Sequence, residues 1–258
     1  MVGIASLSVL LLATGATPSA ALAPASPARV RPLVAARAAV SREAKPAMIT
    51  RELLLTRIAP SFGTVAANAM FLSVARAVLA VRESGSIGDL NAVPLVCIVG
   101  NCAAWLGYSF ATKNGYIFAS NLPGLLLGLF YTMTAVKYAP DAARKSIEKL
   151  LIGYAGIIGA GGFAAATGIF GSAQAVFGML ANALLVLYYS APLSTLAKVI
   201  STRSAASLHA PLCFMNGFNG LMWTAYGLAV ADPFVWAING LGAVLAAVQL
   251  MLVGVFRG

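Results

Sequence analysis

The chain has 258 residues, 60% of them hydrophobic and only 9% charged, with a mean hydropathy of +0.88 and a formal net charge of +10. Soluble domains carry about 25% charged residues, so this composition excludes an ordinary soluble enzyme or nucleic-acid binder. It describes an all-α integral membrane protein.

Residues 1–50 read as a targeting or disordered leader. "MVGIASLSVLLLATGATPSAALAP" has an apolar core too short to span and ends in small residues before Pro24, the pattern of a signal peptide. "APASPARVRPLVAARAAVSREAKPAM" is rich in Ala, Arg, Ser and Pro and nearly free of acids, the composition of a transit peptide. The junction "SAALAP" resembles the Ala-Phe-Ala-Pro cleavage motif of bipartite plastid leaders, with Leu22 in place of Phe. A plastid envelope destination and a plain tail on a plasma-membrane or endomembrane protein both remain open.

A membrane-spanning helix needs about 20 mostly apolar residues. Seven such stretches follow: Ile58 to Val81, Val93 to Ala111, Tyr116 to Val136, Leu150 to Phe170, Gln174 to Val199, Leu208 to Val230 and Phe234 to Phe256. Arg82, Arg144, Lys145, Lys149, Lys198, Arg203 and Arg257 all fall at one end of these spans, against Lys113 at the other. The positive-inside rule places that basic end, and the C-terminus, in the cytosol or its equivalent. Orientation accounts for the basic loops without nucleic acid. The cysteines Cys97, Cys102 and Cys213 lie within spans, form no CxxC pair and read as packing residues.

The second and third spans contain "NCAAWLGYSFATKNGYIFASNLPG", and the sixth and seventh "NGLMWTAYGLAVADPFVWAINGLG". Asn101, Trp105, Tyr108, Asn121 and Gly124 fall on Asn219, Trp223, Tyr226, Asn239 and Gly242, each pair at one constant offset of 118 residues. The chain therefore holds two copies of a three-span unit. Three crossings leave the chain on the far side, and the uncopied span "KLLIGYAGIIGAGGFAAATGIF" returns it so that both copies share one orientation. The expected architecture is 3+1+3: a three-helix bundle over residues 58–138, a linker helix over 147–171 and a parallel three-helix bundle over 174–257. Parallel repeats about an axis normal to the membrane are a transporter plan, with substrate near the midplane between repeats.

The repeated polar residues require partners. An unpaired amide in hydrocarbon is costly, so Asn121 and Asn239 face a wet cavity or hydrogen-bond a neighbouring helix. Trp105 and Trp223 line a pocket or, as Trp236 does in the ordinary case, anchor at the interface. Asn101 and Asn219, one turn before the tryptophans, share their helix face. Gly124 and Gly128, with Gly242 and Ala246 in the copy, form small-xxx-small patterns for close helix approach.

"YYSAPLSTLAKVISTRS" resembles the fifth-helix segment of the SWEET (MtN3/saliva, PQ-loop) sugar transporters, and "WTAYGLAVADPFVWAINGLGAVLAAVQLML" their last two helices. "SIGDLNAVPLV" and "NCAAWLGYSF" are similar to the corresponding first-half loop and second helix. That family is itself a recognised example of the parallel-repeat plan. The resemblance implies that Asn121 and Asn239 bind sugar hydroxyls, and the flat rings of Trp105 and Trp223 can lie against the C–H face of a pyranose. Asn101 and Asn219 would lie beside them. It also implies a tetrad of proline hinges, of which Pro94, Pro192 and Pro211 are present. Val74 stands where the fourth is expected, so the first helix should be the stiffer one.

No carboxylate falls at mid-membrane: Glu83, Asp89, Asp141, Glu148 and Asp232 map to loops or span ends. Proton-coupled carriers generally keep one there, so the expectation is a facilitative, bidirectional uniporter of mono- or disaccharides working by alternating access. The alternative is a PQ-loop exporter of amino acids or other small organic solutes, which calls for a buried acid. No catalytic or metal-ligand constellation stands within the spans, so no enzyme activity, metal or cofactor is expected. The expected partners are a sugar and the lipid bilayer, with a homo-oligomer left open and no nucleic acid.

Overall fold

The computed structural model describes residues 50–256 apart from residue 89. The leader readings, and those for Asp89 and Arg257, lie outside the described residues.

Among the described residues the regular structure is helical throughout. A π-helical turn, Leu54–Ile58, leads into α1 (Ala59–Ser73) and α2 (Ala75–Ser84), which together with the preceding turn form the first span, Thr50–Ser84. There follow α3 (Val93–Thr112), α4 (Gly115–Tyr138), α5 (Asp141–Thr167), α6 (Ala173–Thr202), α7 (Ala210–Ala229) and α8 (Pro233–Phe256). Six of these stretches are long and apolar enough to cross a membrane. Only α7 falls short, because Pro211, Asn216, Asn219 and its glycines dilute its apolar residues. Its 20 residues still extend about 30 Å at 1.5 Å per residue, the thickness of the hydrocarbon core.

Local chemistry sets the helix ends. Asn114 caps α4, its side chain accepting from the N–H groups of Tyr116 and Ile117. Ser172 does the same for α6 through Ala175, and Asp232 for α8 through Val235. Gly85 closes α2 in the left-handed region at φ 69°, where a side chain would be strained. Pro94 and Pro211 occupy the first turns of α3 and α7. No hydrogen bond is lost there, so they begin their helices instead of bending them.

The interior prolines are Pro123 in α4 and Pro192 in α6. Pro123 removes the N–H that would bond the carbonyl of Ala119, and the Asn68 amide of α1 donates to that carbonyl at 3.2 Å. A further departure lies in the first span. Its ladder breaks at Val74, whose N–H turns back to the Phe71 carbonyl at 3.4 Å. Tyr131 of α4 donates its hydroxyl to that same carbonyl at 3.0 Å. The first helix thus has an interruption at Val74 without a proline.

In the first half α4 packs against α1 and α3, and in the second α8 packs against α7 and α6. The halves meet where α1 contacts α7 and α3 contacts α6, and α5 lies against α3, α4 and α6. Close approach is register-matched: Phe71 of α1 lies over Gly124 of α4, as Tyr189 of α6 lies over Gly242 of α8. A side chain at either glycine would collide with the ring, which explains why both copies keep glycine there.

Candidate substrate cavity

A cavity of about 420 Å³ runs between the two halves. Its lining includes both members of every expected binding pair: Asn101 and Asn219, Trp105 and Trp223, and Asn121 and Asn239. Pro192 lines it as well, whereas Pro94 and Pro211 do not. The lining continues to Ser207, Leu208 and His209 in the α6–α7 connection, at the basic end of the molecule.

The polar groups are set by local geometry. The Asn121 amide donates to the carbonyl of Ile117 and that of Asn239 to Val235, both at 2.8 Å and both one turn back on their own helices. One donor of each is therefore engaged, leaving one N–H and the carbonyl oxygen for a ligand, fewer than the two donors and an acceptor of a free amide. The Oδ1 atoms of Asn101 and Asn219 are buried without any hydrogen-bond partner. Leaving a buried acceptor unpaired costs about 1–3 kcal/mol, and the copies incur that cost at equivalent positions. These four asparagines and two indoles can grip a neutral, hydroxyl-rich solute with an apolar face. Among the described residues the cavity lining holds no Asp, Glu, Lys or Arg.

Beyond the tryptophans the chain is packed shut. Trp105 meets Tyr108 edge to face at 5.5 Å, and Trp223 meets Tyr226 in the same way at 5.9 Å. Tyr108, fully buried, donates its hydroxyl to the Asp232 carboxylate, whose two oxygens lie at 2.8 and 2.7 Å. Gln174, at the start of α6, donates to the same hydroxyl at 3.1 Å. The repeat places Asn114 opposite Asp232, and Asn114 donates to the Tyr226 hydroxyl at 2.7 Å. Closure at this end is therefore a two-fold pair of tyrosine contacts, one ending on a carboxylate and the other on an amide. Asp232 and Gln174 were not singled out from the sequence. The available signal was the offset of 118 residues between Asn114 and Asp232, each just before the third helix of its copy.

Comparison with known proteins places the chain in a family. A family model described as sugar efflux transporter for intercellular exchange matches residues 60–143 and 175–258, leaving α5 largely between the two matches. The bidirectional sugar transporter SWEET1a of Sorghum bicolor is 30% identical over 200 residues, covering 76% of this chain and 74% of the relative. The bidirectional sugar transporter SWEET4 of Oryza sativa subsp. indica is 28% identical over 201 residues, covering 75% and 77%. A solved eukaryotic SWEET transporter structure superposes with a TM-score of 0.69, covering 80% of this chain and 98% of the other; at 23% identity this likeness establishes the fold alone.

Proposed function

The chain belongs to the family of sugar efflux transporters for intercellular exchange, and from that premise we propose that it is a facilitative, bidirectional sugar uniporter of membranes. It has helices long and apolar enough for several crossings. The observation that carries the reading is the cavity itself, with matched asparagine and tryptophan pairs from both copies and two buried, unpartnered amide oxygens. Asn121 and Asn239 hold sugar hydroxyls through their remaining donors and acceptors. Trp105 and Trp223 form the floor beneath the ring.

The cavity extends to the basic end, which on this reading is the cytosolic one, and is shut at the other by Tyr108–Asp232 and Tyr226–Asn114. Transport requires the converse state, reached by breaking these contacts and closing the basic end. The bending points are the break at Val74 in the first half and Pro192 in the second, with Pro94 and Pro211 acting at helix starts. This extends the 3+1+3 reading: two three-helix units over 58–138 and 174–257 rock about the α1–α7 and α3–α6 contacts, and α5 holds them in parallel. Because the cavity wall carries no charged side chain, flux follows the sugar gradient. An exporter of amino acids would need a counter-charge in that wall. Uptake of labelled glucose and sucrose by reconstituted protein, with and without a pH gradient, tests the reading; gradient-driven accumulation or exclusion of both sugars counts against it.

A further inference from the structure

Gln249 of α8 is only 8% exposed, lines the cavity and makes no hydrogen bond to any described residue. The repeat shows that the fold does not need an amide there. Its counterpart 118 residues earlier is Tyr131, whose hydroxyl is satisfied internally by the Phe71 carbonyl. Asn216 of α7, which is exposed, also lines the cavity, makes no hydrogen bond to a described residue, and has Ile98 as its counterpart. Two amides thus appear in one copy where the other has a satisfied hydroxyl and a hydrocarbon.

Their placement relative to the binding pairs is defined. A side chain at Gly220 would meet the Asn239 carbonyl and one at Gly217 would meet Ala246, so α7 and α8 run side by side in opposite directions. Asn216 therefore lies between the levels of Asn239 and Gln249, which are about 15 Å apart along α8 at 1.5 Å per residue. Helical side chains tilt toward their helix N-terminus. Gln249 accordingly leans back toward Asn239, and Asn216 leans down toward Gln249, so the two amides converge. Across the cavity the first half supplies Met70, Phe71 and Ile98. The two amides, set among Leu212 and Leu245, thus face an apolar surface across the cavity, a pairing that suits the hydroxyl edge and the C–H face of a pyranose.

We propose that Gln249 and Asn216 form a second sugar subsite, on the basic side of the asparagine–tryptophan level, that takes the distal ring of a disaccharide. It rests on the sugar-transport reading above and narrows its substrate class. A single ring held at Asn121 and Asn239 leaves this level empty, whereas a second ring joined through a glycosidic oxygen reaches it. The subsite therefore acts on disaccharides selectively.

The test uses the full chain in liposomes, with initial uptake measured against concentration for labelled glucose and labelled sucrose. The wild-type chain is expected to carry both. Gln249→Leu and Asn216→Leu, each apolar and compatible with a membrane interior, are expected to raise the half-saturating sucrose concentration about tenfold, the loss of one hydrogen bond in a desolvated site. The sucrose-to-glucose ratio of uptake efficiencies falls accordingly in each variant. Uptake of glucose alone by the wild-type chain overturns the subsite and leaves the transport reading standing. Uptake of neither sugar overturns both. A parallel loss of glucose and sucrose transport in the two variants, at equal protein, also overturns the subsite.

Discussion

Tyr131 donates its hydroxyl to the carbonyl of Phe71 at 3.0 Å, and three residues further on, at Val74, the first span leaves the α-helical ladder. In the second half a proline sits at the equivalent position, Pro192, and frees the carbonyl of Tyr188 by lacking an N–H. The two halves therefore loosen their first helices by different means, a tyrosine reaching in from outside the helix and a proline within it.

Removing the tyrosine hydroxyl should stiffen the first half. Tyr131→Phe is expected to slow sugar uptake about fivefold, corresponding to about 1 kcal/mol for one hydrogen bond, and Pro192→Ala to slow it at least as much. Adding Val74→Pro to Tyr131→Phe should recover most of the rate, because a proline supplies the same break. Uptake within twofold of wild type in Tyr131→Phe and Pro192→Ala alike would show that these positions shape a static fold.

The Tyr108–Asp232 contact should set which end is open. Its hydrogen bond to a buried carboxylate contributes about 1.5–3 kcal/mol and exists in the conformation shut at that end. Tyr108→Phe therefore shifts the population toward the opposite state by roughly ten- to a hundredfold. Cys213 lines the cavity near its basic mouth. In a chain lacking Cys97 and Cys102, labelling of Cys213 by an impermeant thiol reagent from the basic side should fall at least fivefold in Tyr108→Phe. Unchanged labelling would show that the contact holds the fold and does not gate it.

Transport should be uncoupled. With no charged side chain in the cavity wall, liposomes given an inward proton or sodium gradient at equal sugar on both sides should show no net sugar accumulation. Accumulation above equilibrium would place a coupling group where none is lined up.

Much of the site was legible because the chain repeats itself. The constant offset of 118 residues exposed Asn101, Trp105 and Asn121 with their partners, and all six line one cavity. Six of the spans were likewise readable from hydropathy, and α7 is the one that falls short because it carries Asn216 and Asn219. What escaped the sequence lies where the copies differ. Asn114 faces Asp232 across the repeat, and Tyr131 faces Gln249; a search for matching residues passes over both. Gln174 matches Thr56, so its hydrogen bond to Tyr108 follows only from the packing of α3 against α6. The break at Val74 is not visible in propensity, which sees only the residue at the bend and not the Tyr131 hydroxyl that meets the Phe71 carbonyl from another helix. That Pro94 and Pro211 stand at helix starts is not legible either, because helix starts within apolar runs are blurred in sequence by a few residues.

The most direct measurement is uptake of labelled glucose into liposomes containing equal amounts of wild-type chain, Asn121→Ala or Asn239→Ala. Each substitution removes a ligand-facing acceptor and donor from a desolvated site, at a cost of about 1–3 kcal/mol. Each variant is expected to insert normally and to lose at least 80% of the wild-type flux, the lower bound of the roughly five- to 150-fold loss that this range implies. Near-normal uptake in both variants would contradict the assignment of the paired asparagines as the place where the sugar is held.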